Sequence, residues 1–362
     1  MGLPQYEVSV TPPGGSPTTL TNIQEITFTK GRRNVSDQLR AGTGIITGRR
    51  PDLLPAIEIG DEVSITIRPT GGVGYNYRWR VADLRIMYGT TAAYDTWEMD
   101  IEDTFAVLGR GTFGTSWAAG TSASSAINTV VTNFGGTTVT NLATKSLLSA
   151  QVIVSQNGLD VLNIIAATEQ ARFETSYSSG SPHLAIYGRG WQSNLTTYDF
   201  SDDGTGTNPI RYQSIEFAGL ADNYANNVRV EPVGGTAMSS GTGAYTYSTQ
   251  SYSRNDSEAL NLAQFLLGVF NTQDDQPSEI QFRVSANTGT AADNVLALCG
   301  AMSQASIKFR GTTYQAVLEG FTVACTVDDV LVTGYLSSPQ YYPLFILNNT
   351  TFGILGQGRL GY

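Results

Sequence analysis

Two alternating stretches, Glu25-Ile26-Thr27-Phe28-Thr29 and Glu62-Val63-Ser64-Ile65-Thr66-Ile67, decide the fold class of this chain. Each places apolar side chains at every second position, which is the period of a β-strand with one buried face. Between them, Gly42-Thr43-Gly44-Ile45-Ile46-Thr47-Gly48 is strand-like and punctuated by glycine. Similar strands continue as far as Glu102, and together they predict a barrel or a sandwich over residues 1–109, which is interpreted as the first of two barrels.

The chain changes to helical spacing in residues 110–205, which predicts a small α+β unit. Ser122 can cap one helix, and a stronger helix runs from Gly158 to about Arg172. Ser155 or Asn157 is the expected cap of this second helix. A β-hairpin with a serine-, glycine- and proline-containing turn follows it.

Alternating strands resume in residues 206–345 and predict a second barrel. One helix interrupts them, over about Ser257–Phe270, with Asn255 at the N-cap and Glu258 at the capping-box position. Residues 346–362 have too little periodic pattern to form a core and are expected to be a C-terminal arm. The predicted fold class is therefore mainly β with a small α+β insert and two tube-like β-barrel domains.

The composition argues against nucleic-acid binding by phosphate neutralisation. The 362 residues carry a net charge of −10, only three of the basic residues are lysines, and no basic run is present. Charged residues make up 14% of the chain, against a usual share of roughly 25%. We expect neither a signal peptide nor a membrane span, because no segment has the required apolar run.

The residue types that usually carry catalysis or bind metals are scarce. His183 is the only histidine, and it lies on a predicted strand next to a hairpin turn. The two cysteines, Cys299 and Cys325, have apolar neighbours and are interpreted as buried free thiols. A structural zinc site takes four nitrogen or sulfur ligands. We therefore predict no catalytic, cofactor-binding or metal site, and no cofactor.

Two acidic clusters have both a structural and a functional interpretation. On a strand, Glu98, Asp100 and Glu102 would share one face, which is typical of a solvated face above a buried one. The same face could instead line a lumen or an interface, or supply the paired carboxylates of a glycosidase. Asp202-Asp203-Gly204 is interpreted as a turn, because it offers too few oxygen ligands for calcium.

Four patches that follow one another along the sequence resemble one known family. In the first patch, an alternating strand leads into a Gly-Arg turn, an Ala-Gly step and a second strand. The four patches are Ile26–Ile65, Gln156–Phe173, Tyr252–Leu267 and Phe345–Tyr362. They are similar to the minor tail or tail hub proteins of siphophages, a baseplate hub family, above all those of actinobacterial phages. The chain departs from the family pattern at Gly48–Asp52, where an Asn-rich loop is usual, and at Gly356, where Asp is common.

The resemblance implies a structural role without enzymatic activity. It implies two hub barrels and a homotrimer that imitates a six-fold ring at the tail tip of the virion. The expected partners are the distal tail or tail tube ring, the tape measure protein, and other minor tail proteins or fibres. Genomic DNA would only pass through the channel, and an acidic surface suits such a conduit because it repels DNA. Assembly would take place in the cytoplasm of the bacterial host.

Two groups of side chains are candidate contacts between subunits. The arginine pairs Arg32-Arg33 and Arg49-Arg50 bracket the first strand pair and are either solvated turn charges or links across subunits. The aromatic residues towards the C-terminus belong either to a core or to an interface, where aromatic residues are enriched. The predicted interface residues are Arg32, Arg33, Arg49, Arg50, Tyr341, Tyr342, Phe352 and Tyr362.

Two other functions remain open from the sequence. The first is a virion-associated glycan-binding or glycan-cleaving β protein, which would need exposed aromatic residues and close carboxylates. The second is the distal tail ring, which is typically six copies of a chain with one barrel. The two predicted barrels argue against this second alternative.

Overall fold

A computed structural model describes residues 5–33, 37–38, 40–134, 138–142, 146–178, 181–187, 196–218, 224–271, 276–299 and 303–339. Strands predominate over helices, so the predicted mainly β fold class is confirmed. In chain order the strands are β1 (Gln5–Thr11), β2 (Thr18–Thr19), β3 (Ile23–Gly31), β4 (Thr43–Arg49), β5 (Glu62–Arg68), β6 (Tyr75–Met87), β7 (Thr96–Glu102), β8 (Thr112–Trp117), β9 (Thr121–Ser122), β10 (Thr138–Leu142), β11 (Leu147–Leu148), β12 (Gln151–Asn157), β13 (Arg172–Ser178), β14 (Ser181–Tyr187), β15 (Thr197–Ser201), β16 (Ser214–Phe217), β17 (Asn227–Pro232), β18 (Met238–Gly241), β19 (Thr246–Ser251), β20 (Pro277–Arg283), β21 (Gln304–Phe309), β22 (Thr312–Cys325) and β23 (Val330–Ser337).

The helices of the described residues are of moderate length. They are α1 (Thr104–Arg110), α2 (Ala123–Asn133), α3 (Gly158–Glu169), α4 (Asp256–Phe270) and α5 (Thr290–Leu298). The sequence predicted α2, α3 and α4, but it predicted neither α1 nor α5. Among the residues described, no helix combines the length and apolar character that a membrane crossing requires.

Side-chain caps fix where the three predicted helices begin. The Ser122 hydroxyl accepts a hydrogen bond from the backbone N–H of Ser125 at 3.1 Å, at the start of α2. The Asn157 side chain accepts from the N–H of Leu159 at 2.8 Å, so Asn157 and not Ser155 caps α3. The Asn255 side chain caps α4 in the same way. These three caps confirm the helix starts inferred from the sequence.

One compact unit consists of the described residues of Met1–Ala106, Thr196–Phe217 and Pro277–Ser337. Its main sheet has the order β16-β20-β23-β22-β3-β4-β7-β6-β5-β1-β2, and β21 pairs with β22 while β15 lies parallel to β21. The antiparallel pair β3–β22 joins strands from the two predicted barrel regions in one sheet. Among the described strands the pairing does not close into a ring, so the two barrels stay a prediction.

The inward face of this sheet forms the core of the unit. Val63, Ile65 and Ile67 have no exposed surface, which confirms the face predicted from the alternation of β5. Aromatic side chains fill the centre, and the Phe28 ring centroid lies 4.9 Å from that of Tyr77. Burial of such rings stabilises the unit, because each ring removes a large apolar area from water.

The second compact unit consists of the described residues of Val107–Leu195 and Ala218–Gln276, together with Ser338 and Pro339. It contains two three-stranded sheets, β10-β14-β13 and β18-β17-β19, and two two-stranded ribbons, β8–β12 and β9–β11. Helices α2 and α3 pack on each other, and α4 packs on β17 and β18. The predicted hairpin is confirmed as β13–β14. Both units combine distant chain segments, and the contiguous domain bounds given above stay a prediction.

Candidate assembly surfaces

Arg32 of the first arginine pair is engaged within its own chain. Its Nε atom lies 2.9 Å from Glu319 Oε2, and its Nη1 donates to the backbone oxygen of Asp37 at 3.1 Å. The Glu319 side chain is fully buried on β22, and its other oxygen accepts a hydrogen bond from Ser337 Oγ on β23. A buried carboxylate needs such partners, because an isolated charge is costly to remove from water.

Two glycines let β3 and β22 approach each other beside this ion pair. Gly31 and Gly320 are direct partners in the ladder, and Gly31 has a φ of +80°, which side-chain-bearing residues rarely adopt. A Cβ atom on Gly31 would lie 2.4 Å from the Glu319 carbonyl oxygen, and one on Gly320 would lie 2.6 Å from that of Lys30. The Gly-Arg turn noted in the sequence is therefore the point where the two halves of the sheet meet.

Arg33 also contacts its own chain. Its guanidinium carbon lies 5.4 Å from the centroid of the Tyr335 ring, within the range of a cation–π contact. The Tyr335 hydroxyl is in turn 3.0 Å from Thr322 Oγ1. Both side chains of this pair thus support the β3–β22–β23 junction, and the link across subunits stays a prediction for them.

Arg49 and Arg50 form a turn at the opposite end of the β3–β4 hairpin. The antiparallel register pairs Thr29 with Thr43 at one end and Ile23 with Gly48 at the other, so the two arginine pairs are kept apart. The Arg49 carbonyl oxygen accepts a hydrogen bond from Nε1 of a buried tryptophan on β7 at 3.1 Å.

Arg50 has left-handed backbone and an exposed ion pair. Its φ is 58°, and its Nη2 lies 2.8 Å from Asp52 Oδ2. The hydrogen bond to Asp52 raises the pKa of Arg50, and the same bond lowers the pKa of Asp52. Because both groups are exposed, solvent screens this pair. Its position on the surface is compatible with the predicted subunit contact.

The four aromatic interface candidates cannot be placed in the fold. Tyr341, Tyr342, Phe352 and Tyr362 lie outside the described residues, as does the predicted arm, and they stay a prediction. His183 lies on β14, as the sequence predicted.

Strand β7 buries its apolar face, as one interpretation predicted, but its acidic face is not solvated throughout, because Glu102 is buried while Glu98 and Asp100 are partly exposed. Trp97, Met99 and Ile101 face the core and have at most 1% of their surface exposed. On the opposite face, Arg85 Nη2 lies 3.1 Å from Glu98 Oε1 and also contacts Asp100. The Asp100 hydrogen bond is the main cause that raises the pKa of Arg85. The two carboxylates are thus bridged by one arginine from the neighbouring strand.

The Asp202-Asp203-Gly204 segment is a turn, as predicted. Asp203 Oδ1 accepts a hydrogen bond from the N–H of Thr205 at 2.9 Å, and Lys308 Nζ lies 2.7 Å from Asp203 Oδ2. The Lys308 contact holds the pKa of Asp203 well below its usual range. The ammonium group of Lys308, in the same chain, is therefore the cation that pairs with Asp203 in this turn. No group of three or more His, Cys, Asp or Glu side chains among the described residues is arranged to hold a metal ion.

Both cysteines are buried and unbonded to each other, which confirms their interpretation as free thiols. Burial raises the pKa of Cys325 to about 12 and raises that of Cys299 even further. A thiol with so high a pKa is not a nucleophile at neutral pH.

Comparisons with known proteins show which solved structures this fold is similar to. No protein-family model matches the sequence, and no curated protein matches it. Among solved structures, the tail protein from Neisseria meningitidis MC58 is similar with a TM-score of 0.65 and 14% identity, covering 93% of this chain and 98% of that one. The 43 kDa tail protein of prophage MuSo2 from Shewanella oneidensis is similar with a TM-score of 0.61 and 11% identity, covering 93% and 99%.

A third similar structure comes from a secretion system. It is the E. coli c3393 protein, a type VI secretion component described as structurally similar to the T4 tail proteins gp27 and gp5. The TM-score is 0.57 at 9% identity, covering 95% of this chain and 80% of that one. The resemblance to tail hub proteins inferred from the sequence is thereby confirmed for the fold. This chain shares its fold with these tail proteins.

Proposed function

We propose that this chain is a structural hub protein of a siphophage tail tip, located in the virion. Three copies would form a pseudo-hexameric ring that links the tail tube and the distal tail ring to tip proteins and fibres. The observation that carries the proposal is the likeness of the fold to tail proteins over 93% of the chain. Because these two structures are 14% and 11% identical to this chain, the role is inferred from the shared architecture together with the sequence resemblance.

The sheet supports a ring in which one chain supplies two similar parts. Strands from the first third and the last third of the sequence meet at the β3–β22 pair. If each set curls into a barrel, three chains present six barrels, which matches the symmetry of a hexameric tube. Closed cyclic symmetry is the common way for such assemblies to end.

The acidic charge supports a conduit for DNA and not a DNA-binding surface. With a net charge of −10 and a pI near 4.6, the chain repels a phosphate backbone at neutral pH. A non-enzymatic role is supported by the acidic strand, where Arg85 bridges Glu98 and Asp100. A glycosidase would instead need two carboxylates that face a bound sugar.

Native mass spectrometry of the purified chain tests the proposal. The expected species has three times the 38.7 kDa of one chain and appears as a ring in electron micrographs. A hexamer would favour the distal tail ring, and a monomer at all concentrations would contradict the hub. Release of sugar from peptidoglycan by the purified protein would favour the glycan-cleaving alternative.

A further inference from the structure

Strand β12 of the second unit has an open edge that carries no charge. The strand pairs with β8 on one side, and no other described strand pairs with it. Neither β8 nor β12 contains a charged residue or a proline. Proteins usually protect an open strand edge with charges, prolines or a covering segment, because its free backbone groups can pair with another chain. The uncharged edge of β12 is therefore a candidate site for the addition of a further strand.

The outer face of β12 is apolar and exposed. Val152 and Val154 lie two positions apart on the strand, and they are 78% and 74% exposed. Ile153, between them, points to the opposite face and is 3% exposed, as the alternation of a strand requires. On β8, the exposed Ser116 lies directly opposite Val152. The two valines therefore form one surface on one strand, which is called the valine edge.

A β-bulge limits the length of a strand that can pair with β12. The register with β8 shifts between Ile153 and Gln156, and Ser155 has a φ of +50°. Bulges bend a strand and can end its regular pairing. The regular part that is available to a partner is therefore about four residues, Gln151–Val154. A short apolar run is enough to match it.

The chain itself contains a segment of matching chemistry. Residues 340–358, outside the described residues, carry no charged side chain and include Leu344-Phe345-Ile346-Leu347. This apolar run is as long as the regular part of β12, and phenylalanine and isoleucine favour strands. A charged segment would lose hydration at the valine edge without gaining an opposite charge. The absence of charge on both sides therefore favours residues 340–358 as the segment that pairs with β12.

We propose that residues 344–347 of one copy add a strand to β12 of the neighbouring copy, beside the valine edge. The inference rests on the proposed ring, and it names a contact that links its copies. A neighbouring copy is the source, because both valines are exposed in the single chain. Rotational symmetry holds the second units of all copies at the same height, and Ser338 and Pro339, which lead into the segment, belong to this unit. Main-chain hydrogen bonds supply the affinity in strand addition, and alternate side chains supply the specificity.

Cross-linking between thiols of the full-length chain tests the contact. Val154→Cys/Phe345→Cys is treated with a short bismaleimide at a concentration at which the wild type assembles. The expected products are bands at two and three times 38.7 kDa on a denaturing gel. Val154→Cys/Ile346→Cys tests the other face of the added strand in the same way. Cys299 and Cys325 are buried and should not react.

Two controls separate this contact from chance collisions and from another occupant. In Val73→Cys/Phe345→Cys, the first thiol lies on the β5–β6 turn at a position that is 88% exposed, and the chains should stay unlinked. Val154→Cys alone should also give no linked chains. Linked chains in this single variant would overturn the proposal in favour of two β12 edges that pair with each other.

Proline substitutions give an independent result. Phe345→Pro/Ile346→Pro removes the N–H groups on both sides of the added strand, so it should raise the concentration of half-dissociation in light scattering at least about 10-fold. The matched control is Thr350→Pro/Thr351→Pro, outside the apolar run, which should assemble like the wild type.

The outcomes distinguish this contact from the hub proposal. A trimer that is neither cross-linked through the new thiols nor weakened by Phe345→Pro/Ile346→Pro would overturn the added strand and leave the hub proposal standing. Both thiols linked within one chain, seen by mass spectrometry at the mass of a single chain, would overturn the neighbouring copy as the source. A wild-type chain that never assembles would overturn both proposals.

Discussion

Replacement of Arg32 by methionine should destabilise the unit that contains β3 and β22, because it removes the guanidinium that pairs with a buried carboxylate. Glu319 has a fully buried side chain, and Arg32 is only 12% exposed. Removal of one partner from a buried ion pair costs about 3–5 kcal/mol. Ser337 still donates to Glu319 in the variant, so we expect the lower end of this range. A loss of about 3 kcal/mol corresponds to a decrease in Tm of about 6–12 °C for a unit of this size.

Thermal unfolding followed by the fluorescence of the buried Trp79 and Trp97 measures this change. The matched control is Arg50→Met, which removes an exposed ion pair of similar length and should leave the transition unchanged. The double variant Arg32→Met/Glu319→Leu should recover most of the loss, because both charges are then absent. If Arg32→Met melted at the same temperature as Arg50→Met, Glu319 would not depend on Arg32 and the reasoning would be wrong.

Three further predictions concern packing, capping and the thiols. In urea denaturation, Gly320→Ala should lower the free energy of unfolding by about 1–3 kcal/mol, because the new Cβ would lie 2.6 Å from a carbonyl oxygen of the facing strand. The control is Gly268→Ala on α4, where the new Cβ has no atom within 4 Å. This control should be neutral or stabilising. Asn157→Ala should cost about 1 kcal/mol by the same measurement, because α3 loses its cap. Cys299 and Cys325 should react with a chromogenic disulfide reagent only on unfolding. Burial raises the pKa of Cys325 from 9.0 to about 12. The contribution of this thiol to stability is therefore present below pH 9.0 and lost as the pH rises towards 12. The melting temperature of Cys325→Ala should accordingly fall less steeply with alkaline pH than that of the wild type.

The sequence predicted the features that depend on neighbouring residues. The caps Ser122, Asn157 and Asn255 could be recognised because an N-cap bonds to an N–H two or three residues further along the chain. The buried face of β5 followed in the same way from its alternation. Helix α5 was missed although Ala292, Val295 and Leu296 recur at helical spacing and are buried. Nine residues are too few for periodicity to outweigh the strand-rich surroundings.

The arginines predicted as interface residues show that the local sequence pattern cannot predict the partners of a charged side chain. Arg32 follows Gly31 and Arg50 follows Arg49 in similar turns, so both arginines received the same interpretation as interface candidates. The structure separates them, because the partner of Arg32 is Glu319, 287 residues along the chain, and the partner of Arg50 is Asp52, two residues along. Only the register of β3 with β22 brings Glu319 to Arg32, and no local pattern encodes that register.

This register also explains how the Gly-Arg turn supports the fold of its own chain. The strands β3 and β22 come together across 293 residues, as the contact between Thr29 and Thr322 shows, so the first half of the sheet is completed only when the last part of the chain is present. Such distant pairing is entropically costly and slow to form. Gly31 and Gly320 allow the two strands to approach closely, and the buried ion pair lies beside them. Both features favour this register, because a shifted register would separate the buried Glu319 from Arg32.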